Sequence, residues 1–353
     1  MADWTKSMNQ TFEYYLVDPN TWGLKERLTT VESCTISRDS TTNTLESASF
    51  TVSDNLGECY IRVYLVVTQG GATEKFPLGT FLVQTPSIEF DGKAKSISLD
   101  AYSPLLELKD VLPPLGYTVS KGVNVMERVY DLASENSRIP IVQPNCSTLL
   151  YDDFVAETDE TWLTYLISLM AEAEYNLGLD ELSRIIFEPK IEVAAMQPVW
   201  TFDDDNSSIL YPDVTVDRDL YGIPNVVQVS YSSDNIYYYS EARNEDVNSI
   251  TSIQNRGREV MYRTENPSFS GEPTQAMIDL YARQLLESKS SLEYTITYSH
   301  GYCPVRIGDC VRLNYKAAGL DNVKAKVTSQ SITCESGCPV EETAVFTKKL
   351  WEA

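Results

Sequence analysis

The sequence predicts a mainly β fold of the α+β class, with two β-barrel or sandwich domains that carry mixed α/β insert modules. Three observations lead there. Apolar residues alternate with polar ones through residues 1–104, the period of a half-buried strand. Between 105 and 198 the apolar spacing shifts to three and four, the period of a helix face. Alternation returns at 199 and, after one more helical stripe, runs to the end of the chain. At 353 residues the chain exceeds the size at which a single core keeps growing, so more than one domain is expected.

Taken in order, Ala48, Phe50 and Val52 share one strand face, and Ile61, Val63, Leu65 and Val67 share another. Gln69-Gly70-Gly71-Ala72 turns the chain back through Phe76–Val83 into Ile88–Phe90. Asp91-Gly92 is a hairpin dipeptide, and Ile97, Leu99 and Ala101 resume the alternation. Pro104 and Pro113-Pro114 break it. Val125, Val129 and Leu132 form a helical stripe that ends before Pro140. A second helix is predicted over 161–173, with Trp162, Leu166, Leu169 and Met170 inward and Thr158 or Asp159 near its cap. Tyr175–Leu177 and Ile185–Phe187 read as a hairpin around Asp180-Glu181. Strands follow at Val199–Phe202, at Val227, Val229 and Tyr231, and at Ile236–Tyr239. A polar, glycine-punctuated stretch over 241–271 precedes a third helix, 273–288, with Pro273 in its first turn and Met277, Leu280, Tyr281 and Leu285 as its stripe. The last strands carry Tyr294, Ile296 and Tyr298; Val311, Leu313 and Tyr315; Val323, Ala325 and Val327; and Val345 with Thr347, with Ile307-Gly308-Asp309 as a turn that launches one of them. The resulting division is a first β domain over 1–104, an α/β insert over 105–198, a second β domain over 199–240 and 292–353, and a loop-and-helix insert over 241–291.

Composition narrows the function. Hydrophobic residues make up 42% and charged residues 22%, as in ordinary globular proteins. No apolar run approaches the ~20 residues that span a bilayer, and the N-terminus lacks the basic start and apolar core of a secretory signal, so folding in a cytosol is expected. The chain has a single histidine, His300, which removes the commonest general base. No Gly-x-Ser-x-Gly elbow accompanies it, and it reads as a turn or sheet-edge residue. Gly70-Gly71 and Gly308 are not followed by a lysine-bearing helix that would cradle phosphate. Carboxylate pairs such as Asp152-Asp153 and Glu172 with Glu174 are what an acidic chain supplies by chance. The expectation is a protein that is not an enzyme and uses no cofactor.

Metal readings fare no better. The seven cysteines are odd in number and scattered, which favours reduced thiols. Cys334 with Cys338 would need Cys303 and Cys310 as the other half of a zinc site, and that half lacks the tight spacing. Asp203-Asp204-Asp205-Asn206 has Ser208 and Val214 where a calcium loop needs glycine and glutamate. A solvated turn is expected instead.

The formal net charge is −23, from 51 acidic and 28 basic side chains, so specific duplex binding is disfavoured. Such a surface keeps a protein soluble, and it would also let nucleic acid slide past without sticking. Tyrosine is abundant, with 22 copies against 10 phenylalanines, a bias that suits subunit interfaces and sugar platforms. Tyr237, Tyr238 and Tyr239 place rings on both sides of one strand, and Tyr60, Arg62 and Tyr64 lie on the polar face of an early one. These six are the candidate interface residues.

Several passages carry a family resemblance: Pro77-Leu78-Gly79-Thr80-Phe81-Leu82-Val83-Gln84-Thr85-Pro86, followed by Asp91-Gly92 and Leu99-Asp100-Ala101-Tyr102-Ser103-Pro104-Leu105-Leu106; Ile223-Pro224-Asn225-Val226-Val227-Gln228-Val229; and Ile307-Gly308-Asp309-Cys310-Val311-Arg312-Leu313. In their order and spacing the chain resembles the central baseplate hub proteins of contractile-tailed bacteriophages and phage-like particles. The resemblance implies two domains like those of the tail tube in one chain, so that a homotrimer forms a pseudo-hexameric ring joining the sixfold tube to the threefold central spike. It implies tube, spike and other baseplate proteins as partners, DNA passage through an acidic lumen, and a place in the virion tail after assembly in the host cytoplasm. The expectation is a hub without an attached peptidoglycan-cleaving domain. The rival readings are the N-terminal hub of a siphophage tail-tip protein and a monomeric carbohydrate-binding β-protein.

Overall fold

The computed structural model describes residues 2–54, 56–90, 95–205, 208–233, 236–267 and 273–351. The turn at Asp91-Gly92, Asn206 and the end of the polar stretch at Gly271 lie outside them. The first strands are β1 (Asn9–Val17), β2 (Leu24–Leu28), β3 (Val31–Asp39), β4 (Glu46–Val52), β5 (Tyr60–Gln69), β6 (Ala72–Phe90) and β7 (Lys95–Tyr102). A mixed segment follows with α1 (Leu106–Lys109), β8 (Thr118–Val119), α2 (Val125–Asn136), β9 (Phe154–Val155), α3 (Trp162–Ala171), β10 (Tyr175–Leu179) and β11 (Ile185–Pro189). Next come β12 (Trp200–Asp203), β13 (Leu210–Arg218), β14 (Val226–Ser233), β15 (Ile236–Arg243), α4 (Ile253–Arg256), β16 (Met261–Glu265) and α5 (Gln275–Lys289). The chain closes with β17 (Ser291–Gly301), β18 (Cys310–Tyr315), β19 (Leu320–Thr333) and β20 (Pro339–Lys349). The fold is mainly β, as the alternation predicts.

One strand order occurs twice. The first set runs β3-β4-β7-β6-β5-β1, with β2 added at the end, and the second runs β13-β17-β20-β19-β18-β12. Ranked along the chain, the two orders are the same. Each set also contains one unusually long strand, β6 of 19 residues and β19 of 14, that trades partners along its length. One departure is that β1 pairs antiparallel with β5, whereas β12 pairs parallel with β18. The two sets meet in one hydrogen-bonded joint, where β19 pairs antiparallel with β3 from Ser329↔Asp39 to Thr333↔Thr35.

The chain divides into two compact units, Met1–Val214 with Thr297–Ala344 and Thr215–Ile296 with Val345–Ala353. These boundaries differ from those the sequence predicts. Residues 105–198 belong to the first unit because their core, built on Val125, Val129, Leu166 and Leu169, packs directly on Val17, Trp22, Tyr60 and Leu82 of the first strand set. The second unit occupies, in sequence, the connection between β13 and β17. That is the counterpart of the short turn between β3 and β4.

Within the first unit the inward phase of each predicted strand is buried: Phe50, Val52, Ile61, Val63, Leu65, Ile97 and Leu99 are almost fully covered. Tyr14 and Phe81 meet Phe50 edge-on at 6.2 and 6.4 Å. Helix α2 is capped by Asn124, which accepts from Glu127 N–H at 3.1 Å. Helix α3 starts later than predicted. Thr161 and Thr164 form a reciprocal cap there, so neither Thr158 nor Asp159 holds that role.

In the second unit a three-stranded sheet, ordered β15-β14-β16, is covered by α5. Its core is Val227, Val229, Ala242, Ile278, Ala282 and Leu286. The buried stripe of α5 is displaced by one position from the predicted one, leaving Met277 and Leu280 exposed while Tyr281 and Leu285 flank the core. The polar stretch that read as a loop is partly internal. Asn225 and Asn244 are fully buried, and Asn225 donates to the Thr251 and Arg258 carbonyls at 3.1 and 3.0 Å and accepts from Val260 N–H at 2.7 Å.

Candidate functional site: a buried polar seam between the two strand sets

Strand periodicity puts several charged residues in phase with the core instead of with solvent. On β3, Arg38 follows Cys34 and Ile36; on β4, Glu46 precedes Ala48 and Phe50; on β20, Glu342 lies between Val340 and Ala344. All three are buried. A buried charge is tolerated only when paired and hydrogen-bonded, and these satisfy each other across the joint. Arg38 Nε lies 3.2 Å from Glu46 Oε1, Nη1 donates to Gln330 Oε1 at 2.9 Å, and Nη2 donates to the Leu78 carbonyl at 2.6 Å. Gln330, on β19, donates through Nε2 to the Val305 carbonyl at 2.8 Å and to Glu342. Arg306 pairs with the same Glu46 oxygen as Arg38.

The seam ends on β17. Tyr298 donates its hydroxyl to Glu342 Oε2 at 2.6 Å, and His300 Nε2 stands 3.3 Å from the same oxygen, a charge contact that is off line for a hydrogen bond. His300 Nδ1 is 2.6 Å from the Gly301 carbonyl, which can only accept. Burial alone would raise the Glu342 carboxyl, but His300, Tyr298 and Gln330 together hold it below the usual carboxylate range. Burial and the adjacent carboxylate push the Tyr298 hydroxyl well up. His300 is therefore not at a turn or sheet edge, as the sequence suggests. It is fully buried against Phe202, ring to ring at 4.7 Å.

A second polar contact ties the mixed segment to the strands. The turn between β10 and β11 presents Ser183, buried with a positive φ of 56°, whose Oγ donates to Glu46 Oε2 at 3.2 Å and accepts from Thr80 N–H at 2.8 Å. Thr80 Oγ1 accepts from Arg62 Nε at 2.8 Å, and the Arg62 guanidinium stands 5.8 Å from the Trp22 ring centroid. Gly79 makes this approach possible, because a Cβ there would sit 2.6 Å from the Phe81 ring. Beside the seam a cavity of about 460 Å³ is lined by Glu46, Glu181, Glu188, Arg306, Asp309 and Lys326 among others. Burial pushes the Asp309 carboxyl up to about 6.

The six candidate interface residues are dispersed. Tyr60 and Arg62 are buried, Tyr60 donating to Glu107 and Arg62 to Thr80, because Trp22 and the mixed segment cover the face that reads as polar. Their place inside the chain corrects the expectation of an exposed pair. Tyr64 is half-buried, edge-on to Tyr15 at 5.8 Å. Tyr238 packs on the α5 core, whereas Tyr237 and Tyr239 on β15 are exposed. Among the described residues no three metal-ligating side chains come together, and no helix is long and apolar enough to cross a membrane. Cys34 and Cys334 are cross-strand neighbours at the end of the joint, where Cys334 N–H donates to the Cys34 carbonyl at 2.9 Å.

No protein-family model matches the chain, and no curated protein matches it. Its fold does match solved structures. The tail protein of Neisseria meningitidis MC58 superposes with a TM-score of 0.61 at 14% identity, over 95% of this chain and 97% of that one. The 43 kDa tail protein of prophage MuSo2 from Shewanella oneidensis gives 0.61 at 12% identity, over 95% and 98%. A chain of the Francisella PdpA-VgrG complex gives 0.58 at 8% identity, over 96% of this chain and 53% of that one. The chain has the fold of phage tail proteins over nearly its whole length, and at these identities the fold is what is shared.

Proposed function

We propose that the chain is a structural protein of a phage or phage-like contractile tail, the baseplate hub. Three copies would form a ring around an axial channel, joining a sixfold tail tube above to a threefold spike below. The observation that carries this is the repeated strand order: two like strand sets in one chain, tripled about an axis, give six like positions. The likeness of fold to tail proteins and to a chain of a VgrG complex supports the same reading. In it the particle is assembled in the host cytoplasm and the hub resides in the tail baseplate, working by assembly and not by catalysis.

Acidic side chains facing the channel would let DNA pass unretained, and the exposed rings of Tyr237 and Tyr239 would meet other baseplate proteins. Mass measurement in solution, with images of the particle, tests the proposal. A trimer, alone or with tube and spike proteins, is the expected result. A stable monomer that binds glycans in a screen would overturn it.

A further inference from the structure

Two thiols meet at the end of the joint between the strand sets. The β3–β19 ladder runs in unbroken antiparallel register through Ser331↔Ser37, Ile332↔Ile36 and Thr333↔Thr35. One step further Cys334 stands opposite Cys34, and its N–H still donates to the Cys34 carbonyl at 2.9 Å. Directly opposed residues send their side chains to the same face of a sheet, with Cα atoms about 5.5 Å apart in a hydrogen-bonded pair. The commonest Cα separation across a disulfide is about 5.5–6 Å, so a small closing movement of the side chains is enough to bridge these two. Cys34 is buried and Cys334 half-buried, which leaves Cys334 as the sulfur that a small oxidant reaches first. The Cys34 thiol beside it, together with burial, pushes the Cys334 thiol well up. Thiolate is therefore scarce at neutral pH, and a reducing cytosol keeps such a pair as thiols.

We infer that Cys34 and Cys334 form a disulfide across the joint once the protein leaves a reducing compartment, fixing β3 of the first strand set to β19 of the second. The oxidant is a small-molecule disulfide such as glutathione disulfide. Cys334 Sγ loses its proton and attacks one glutathione sulfur, the bond between the two glutathiones breaks, and the departing thiolate takes up a proton. Cys34 Sγ then loses its proton, attacks Cys334 Sγ and expels the second glutathione in the same way. The two cysteines together give up two electrons, and one glutathione disulfide becomes two glutathione thiols. The loop so closed runs from 34 to 334, and long loops are where a cross-link restricts the unfolded chain most. The bond sits on the strand that carries Arg38, so it holds the joint where the buried seam depends on charge. Its chemistry is independent of the hub reading, which supplies only the occasion, since a released particle leaves the cytosol.

The full chain, reduced and then held folded in glutathione disulfide, tests the cross-link. Remaining thiols are alkylated in denaturant, and linked peptides are mapped by mass spectrometry. The expected result is that two of the seven thiols are protected, in one intrachain pair joining Cys34 to Cys334, and that the melting temperature rises by about 5 °C over the reduced protein. Cys338→Ser should keep both results, and Cys34→Ala should lose both. Alkylation of all seven thiols in protein that retains its native circular dichroism overturns the inference. So does a cross-link that uses Cys338 in place of either partner, or a Cys34–Cys334 link that appears only after urea unfolds the chain. The decision rests on wild-type protein and does not depend on either variant folding. Whether the chain is a trimer or a monomer in either redox state bears on the hub reading and leaves the cross-link where the peptide map puts it.

Discussion

At the scale of single residues, Glu342 and Asp309 have opposite electrostatic situations, and this makes pH a usable probe. Glu342 accepts from Tyr298 and Gln330 and faces His300, so its carboxyl is held low. Its contribution to stability is present above the ordinary carboxylate range and is lost as pH falls through it. Breaking one side of a buried pair typically costs about 3–5 kcal/mol. Glu342→Gln is expected to lower stability by about 3 kcal/mol in a urea titration at pH 7, with a smaller-than-additive loss in the double variant with His300→Gln. Asp309 is raised from 3.8 to about 6, chiefly by burial, so its contribution is full below about 3.8 and lost as pH rises through about 6. Asn can still accept from Arg306 N–H, as Asp309 Oδ2 does at 2.8 Å. Asp309→Asn should therefore stabilise the protein at pH 7.5 by about 1–2 kcal/mol, after allowance for partial exposure, and the gain should vanish below pH 4. Equal effects at both pH values would contradict this account.

At the scale of elements, the β5–β6 hairpin depends on one backbone feature. Gly79 has φ +148° and a Cβ would collide with the Phe81 ring, next to the point where Thr80 donates to Ser183 and accepts from Arg62. Gly79→Ala should cost about 2–3 kcal/mol and loosen the turn between β10 and β11, read as faster hydrogen exchange at Thr80. Elements with a single clear period were legible in the sequence, including β4, β5, β7, α2 and the β10–β11 hairpin. Those missed share a physical reason. β13 presents its polar positions outward along an edge and offers little apolar alternation. On β5 both faces are covered, so Tyr60 and Arg62 look like solvent-facing residues although each has an internal partner. The seam was hidden for a related cause. Arg38, Glu46 and Glu342 carry the core phase of their strands, but a charge in that phase shows its role only once the facing strands are known.

At the scale of the whole molecule, the balance between backbone joints and net charge decides how copies associate. Each chain carries a formal charge of −23, so bringing copies together works against long-range repulsion that salt screens over about 10 Å at 0.1 M and about 3 Å at 1 M. Main-chain hydrogen bonds and apolar contacts such as those offered by Ile88 and Phe90 are far less sensitive to salt. If association rests on a strand-to-strand joint, raising sodium chloride from 0.05 to 0.5 M should tighten it. Sedimentation at matched protein concentration should show the trimer fraction rising across that range. An association driven by charge pairs would respond in the opposite sense, and a trimer that falls apart in salt would remove the strand joint as its main support. The same repulsion predicts no retention of the assembled protein on duplex DNA at low salt, where binding through basic patches is strongest.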